Sequence, residues 1–298
     1  AISREGAFCG CSPRWASLMA GRIGFVDDCL DNFHADVYLQ LLRGELADLG
    51  FTVTGCTALQ REPSRAWAQA NAVTWFDSVQ QLDDHVDHYV ILAPSTPQTH
   101  LPLCEQVFER GKSTYVDKTF APDLATAERI FALADEHGVA VQTTSALRYT
   151  EVQQMVESAD AAVHHMIAWG GGSSFDEYAI HPVEMVVSCL GENVSRVMCW
   201  GDGDRRNRLL LEWTHGATAI VHVHTDGAAT PFAAAVSTDT ATSYVAVDSG
   251  PIFSATARAF LQLFDSGIPN VPRGESLMVH RILDAVQQPD ARIGFVEI

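Results

Sequence analysis

From Arg22 to Ser145, short β-rich runs alternate with helical patterns, and this alternation limits the possible fold more than any other feature of the chain. The runs are RIGFVD (22–27), FTVTGCTAL (51–59), AVTWF (72–76), HYVILAP (88–94), STYVDK (113–118) and VAVQTTS (139–145). The last two segments between them carry apolar residues three and four apart. They end at Gly111 and Gly138, where a helix normally takes its C-terminal glycine. Strands that are nearly all apolar, each followed by a helix, predict a parallel sheet covered on both faces. In such a doubly wound domain, ligands sit outside the carboxyl ends of the strands, where strand order reverses. Asp27, the stretch from Ala93 through Ser95 to Pro97, and the stretch from Asp117 to Thr119 occupy those ends.

After Arg148 the pattern changes. AAVHHMIAWGGG, RVMCWGDG, RLLLEWTHG, TAIVHVHTDG, FAAAVST and SYVAVDS read as strands separated by Gly and Asp turns, as in an antiparallel sheet. HPVEMVVSCLG reads as a helix, as do stretches around 254–266 and 274–288. The expected fold is therefore a Rossmann-like α/β domain over 21–147 followed by an α+β domain with a mainly antiparallel open sheet over 148–298. Residues 1–20 lack the apolar stretch of a secretory signal and read as an N-terminal arm, with Met19 a candidate start.

Composition narrows the partners. A formal net charge of −18 repels nucleic acid and anionic lipid, and no apolar run approaches the roughly 18 residues of a membrane helix. The seven cysteines are scattered, unlike a secreted disulfide framework, so a reducing cytoplasmic setting is expected. Only Lys112 and Lys118 are lysines, against seventeen arginines, which draws attention to a lysine at a strand mouth.

Order, lengths and local residues together resemble the glucose-fructose oxidoreductase / inositol dehydrogenase / MocA (Gfo/Idh/MocA) family over residues 22–298. Asp117-Lys118-Thr119 stands where that family usually has Glu-Lys-Pro. EYAIHPVEM is similar to its Asp-x-x-x-His segment, and RIGFVDDCLDNFH sits at its glycine loop. The resemblance implies an oxidoreductase moving a hydride between NAD(P) and a hydroxyl or carbonyl of a sugar-like or cyclic metabolite. It further implies a homo-oligomer, dimer or tetramer, built through the second sheet. Lys118 would stabilise charge on oxygen, His181 would exchange the hydroxyl proton, and Glu177 would orient it or bind a neighbouring hydroxyl. Arg148, Tyr149 and Tyr178 are candidate substrate contacts, and Asp27, Asn32, Gln60, Arg61, Ser95 and Asp117 are candidate cofactor contacts. Gln60 and Arg61, at the end of the second run, suit a 2′-phosphate and lean toward NADP.

The glycine loop is where the chain departs from the pattern. A glycine-rich loop works because its backbone approaches the pyrophosphate closely and the next helix offers its positive end. Asp27 and Cys29 fall on the first two glycines. A carboxylate about 4 Å from a phosphate costs on the order of 4 kcal/mol at an effective dielectric of 20, roughly a thousandfold in affinity. A usual dinucleotide pose is thereby disfavoured. The alternative is a non-redox descendant: an acid/base or metal-assisted lyase or isomerase, or a ligand-binding regulator. Asp27, Asp28, Asp31 and His34 offer metal ligands in principle, but helix capping is the favoured reading of them. His222 with His224, and His164 with His165, pair on strands and read as surface or interface residues rather than metal ligands.

Overall fold

The computed structural model describes residues 21–201, 205–226 and 231–298, so the N-terminal arm lies outside the described residues. The first half contains β1 (Arg22–Asp27), α1 (Phe33–Arg43), β2 (Thr52–Ala58), α2 (Arg61–Ala70), α3 (Val79–Asp83), β3 (His88–Ile91), α4 (His100–Phe108), β4 (Thr114–Val116), α5 (Leu124–His137) and β5 (Val141–Thr143). Its five strands form a parallel sheet in the order β2-β1-β3-β4-β5. Strand order reverses at β1, so the crevice between the carboxyl ends of β1 and β3 is where this topology places a ligand.

The AVTWF run, expected as a strand, is not one. Only Trp75 makes an isolated bridge, to Cys56. Ala72 enters the segment with a φ of 50° and Ser78 caps α3 just beyond it, so the extended stretch is too short to propagate a ladder. The predicted helix end holds at Gly138, which caps α5 at φ 64° in the left-handed region open to glycine, whereas α4 stops before Gly111, at Phe108 with Glu109 as its cap, and Gly111 turns the chain beyond it at φ 69°.

The second half contains α6 (Glu151–Glu157), β6 (Val163–Gly171), α7 (Phe175–Tyr178), α8 (Ile180–Leu190), β7 (Val194–Trp200), β8 (Arg206–Trp213), β9 (Thr218–His224), β10 (Ala233–Thr238), β11 (Thr242–Ala246), α9 (Ile252–Ser266), α10 (Arg273–Gln287) and β12 (Val296–Glu297). The seven strands run in the order β11-β10-β6-β9-β8-β7-β12 and are antiparallel except for the β6–β9 pair. Strands β8 and β9 alternate buried and half-buried positions, the mark of a sheet with one covered face. Helix α8 packs on that covered face, with Val183, Val186 and Val187 in the core beside Met166, Ala168, Val221 and Val223. Helix α6 was not foreseen, although Thr150 and Gln153 form a capping box that is written in the sequence.

One helix crosses between the halves. Ala257, Phe260, Leu261, Leu263 and Phe264 of α9 are buried with Ile23, Phe25, Tyr38, Leu39 and Tyr115 of the first domain. Apolar burial at about 25 cal/mol per Å² therefore couples the two halves directly. Among the described residues, no helix is long and apolar enough to cross a membrane.

Candidate active site

Three strand ends and two helices build a crevice between the domains. Lys118 follows β4, is only 7% exposed, and donates from Nζ to the carbonyl oxygen of Pro94 at 3.2 Å. His100, wholly buried, places its two ring nitrogens 2.7 Å from Leu92 O and 3.0 Å from Phe120 O, bracing the loop that carries Lys118 against the end of β3. The Lys118–Thr119 peptide bond is cis.

From the second half, α7 supplies Glu177 and Tyr178, and α8 supplies His181. Ser95 donates to Glu177 Oε1 at 2.7 Å and Ser173 donates to Oε2 at 2.7 Å, so Ser95, expected on the cofactor side, instead ties the two domains together. Burial alone would raise the Glu177 carboxyl. The two hydroxyl donors and the charges of Lys118 and His34 outweigh it and bring it below its ordinary value. His181 Nδ1 lies 2.7 Å from Ser145 Oγ, which fixes the ring, and Tyr178 packs against the ring at 5.7 Å. Burial, then the charges of Lys118 and His34, push His181 down to about 3 against the opposing pull of Asp117, so the imidazole is neutral at physiological pH. The lysine and the imidazole, one from each half, thus act on each other electrostatically.

Beneath them lies a layer that the sequence reading missed. Glu184 accepts from Thr144 Oγ1 at 2.8 Å, from the Ser145 amide at 2.7 Å and from Arg148 Nε at 2.8 Å. Arg148 also donates to Glu275 at 2.6 Å. Arg148, expected to contact substrate, thus sits in a buried ion-pair network beside the Ser145–His181 contact, its Nη2 buried without a hydrogen-bond partner. Tyr149, the other expected contact there, has its hydroxyl buried with no hydrogen-bond partner, and burial pushes its pKa up. A glutamate inside the apolar run PVEMVV was the available signal, since a carboxylate there has to be paired.

On the cofactor side, Asp27 is 1% exposed and its carboxylate turns inward. Oδ1 accepts from the Cys29 amide at 3.1 Å and the Ala93 amide at 3.0 Å, and Oδ2 accepts from Asn32 Nδ2 at 2.9 Å. Asn32 caps α1, its Oδ1 accepting from His34 N at 2.9 Å and Ala35 N at 3.0 Å. Asp117 is buried, with one oxygen 2.5 Å from His34 Nδ1 and the other accepting the Lys118 amide at 2.8 Å. Burial pushes the Asp117 carboxyl up, but the pairing with His34 and the charge of Lys118 bring it below the usual range. Gln60 donates to Asp28 Oδ2 and Arg61 to Asp77 O. A cavity of about 310 Å³ lined by Val26, Thr57, Ala58, Leu59 and Arg61 opens beside the ends of β1 and β2. Among the described residues there is no group of three or more His, Cys, Asp or Glu that could hold a metal. In particular, Asp27 and His34 bond to Asn32 and Asp117, and His222 stacks on Trp169 at 5.8 Å.

The turn does not fit a pyrophosphate in the usual position. That position needs free amides at the end of β1 and the start of α1. Here those of Cys29, His34 and Ala35 are taken by the side chains of Asp27 and Asn32, and that of Leu30 by Ser64 Oγ at 3.1 Å. Asp28 and the exposed Asp31 add negative charge at the same place.

Asp27 also has a measurable signature. Burial pushes its carboxyl up to about 7 from an ordinary 3.8, with the donors from Asn32, Cys29 and Ala93 opposing the rise. Its folded form therefore keeps a proton that the unfolded form loses. That stabilisation is fully present below 3.8 and is lost as pH rises through 7. Urea unfolding from about pH 5 to 8 is expected to show native stability falling relative to Asp27→Asn across this window. His181, whose lowered pKa gives the opposite slope below its ordinary value, cancels in the comparison. Parallel curves for the two proteins would remove Asp27 as the titrating group.

Residues 29–145 match the model of a family described as "Oxidoreductase family, NAD-binding Rossmann fold", GFO_IDH_MocA. None of the curated proteins matches the sequence. Among solved structures, GenD2 from gentamicin A biosynthesis, in complex with NAD, is 16% identical with a TM-score of 0.81, covering 97% of this chain and 99% of its own. Myo-inositol 2-dehydrogenase from Lactobacillus plantarum is 14% identical with a TM-score of 0.78, over 94% of this chain and 100% of its own. An oxidoreductase from Agrobacterium radiobacter, in complex with NAD+, L-tartaric acid and magnesium, is 12% identical with a TM-score of 0.78, over 94% and 98%. At these identities the likeness is one of fold. Over the first sheet the chain thus matches the model of the Gfo/Idh/MocA oxidoreductase family, described as an NAD-binding Rossmann fold, and over nearly its whole length it shares the fold of the dehydrogenases named here.

Proposed function

We propose that the interdomain crevice acts on a carbinol or carbonyl group of a small sugar-like or cyclic metabolite, in the manner of the oxidoreductase family whose model residues 29–145 match. The observation that carries this reading is the meeting of Lys118, Glu177 and His181, from both domains, around the ends of β3 and β4. Lys118 Nζ spends one bond on Pro94 O and is placed to stabilise negative charge on a substrate oxygen. His181, neutral and steadied by Ser145, exchanges the proton of that oxygen. Glu177, kept ionised by two hydroxyls, accepts from a neighbouring substrate hydroxyl. In family members a nicotinamide dinucleotide supplies or takes up the hydride.

The filled turn at Asp27 favours a second reading, in which the same lysine and histidine move protons alone, as in an isomerase or a lyase. A panel of inositols, keto sugars and hydroxy acids, followed by proton NMR in D2O with and without NAD(P), tests both readings. Turnover or deuterium uptake is expected for one class of compound, lowered at least about 100-fold in His181→Gln. A substrate whose turnover survives His181→Gln at the native rate would overturn this assignment of the crevice.

A further inference from the structure

We propose that the β1–α1 turn is an anion seat already filled by the chain's own side chains, so that the protein does not take up a dinucleotide through its pyrophosphate. Asp27 plays the part of the missing anion. One of its oxygens bonds the amide of Cys29, on the turn, and the amide of Ala93, beyond β3, and so spans the switch-point crevice. Ala93 is one of two non-glycine residues with positive φ among the described residues, at 45°. A backbone held in that region needs its surroundings to enforce it, and the Asp27 bond to its amide does so. Asn32 completes the closure: it grips Asp27 Oδ2 and Cys29 O with its amide nitrogen, while its oxygen takes the two α1 amides of His34 and Ala35.

These contacts form one connected set. Displacing Asp27 or Asn32 would strand amides on both sides of the crevice, and burial makes stranded polar groups costly. The rise of the Asp27 carboxyl toward neutrality fits an internal group held away from water, and protonation leaves an acceptor oxygen available to the amides. The inference rests on the crevice being the working site and, of the two reactions proposed for it, favours proton transfer without a dinucleotide. What it adds is that the crevice is left to a small substrate.

Binding, not activity, is the test. The native chain is titrated with NADH and with NADPH, following nicotinamide fluorescence, beside the folded triple variant Asp27→Gly, Cys29→Gly, Asn32→Gly and the single variant Asp27→Gly. No saturation is expected for the native chain below about 1 mM, with binding at least about tenfold tighter in the triple variant. Saturable native binding of either dinucleotide below about 100 µM would overturn the proposal and leave the acid–base roles of Lys118 and His181 standing. If circular dichroism shows that the triple variant is unfolded, Asp27→Gly carries the comparison. A folded variant, triple or single, that binds no better than the native chain would overturn the assignment of these side chains as the occupants.

Discussion

Arg148→Ala is expected to destabilise the protein by about 3–5 kcal/mol, read from the midpoint of urea unfolding. The guanidinium side chain is 10% exposed and faces Glu184 at 2.8 Å and Glu275 at 2.6 Å, carboxylates whose side chains are 6% and 16% exposed. Removing the cation leaves both carboxylates poorly solvated and uncompensated, which is the expensive way to break a buried pair. The Glu184 carboxylate also takes the hydroxyl of Thr144 and the amide of Ser145, so its displacement reaches the serine that steadies His181. A loss under about 1 kcal/mol would show that water reaches the network freely and that Arg148 is available for another role.

Lys118→Met is expected to lower turnover at least about 100-fold with little change in the unfolding midpoint. Methionine keeps most of the buried stem, and the ammonium gives up a single hydrogen bond, to Pro94 O. His181 and Glu177 lose the cation that both of them feel. Because its charge pushes His181 down, Lys118→Met is also expected to move the His181 titration upward, visible as an imidazole NMR resonance whose midpoint rises toward its ordinary value. A variant with native turnover and an unmoved histidine would separate the two groups.

The fold was legible because its signals are local and repetitive: apolar runs in period, a helix ending at Gly138, and turns rich in glycine and aspartate in the second half. AVTWF was misread because composition alone does not measure how far a strand can extend before Ser78 starts a helix. Lys118 and His181 stood out by residue type and place, but their neighbours did not. The bond of Ser95 to Glu177 spans 82 residues, and that of Arg148 to Glu275 spans 127. The first is set by how the two domains dock and the second by packing within the second domain, and no local pattern encodes either. The acidic turn at Asp27 stood out in the sequence, yet the inward direction of that side chain depends on the Ala93 amide, 66 residues away.

Helix α9 has a mechanical meaning. Its aromatic row, Phe260 and Phe264, is wedged into the back of the first sheet beside Tyr38, Phe51 and Tyr115. Swinging the two lobes apart about Arg148 would pull those rings out of their sockets. Entry to the crevice is thus left to small shifts of the short segments at its rim, Ala93–Pro97 and Gly172–Tyr178, rather than to a jaw-like opening.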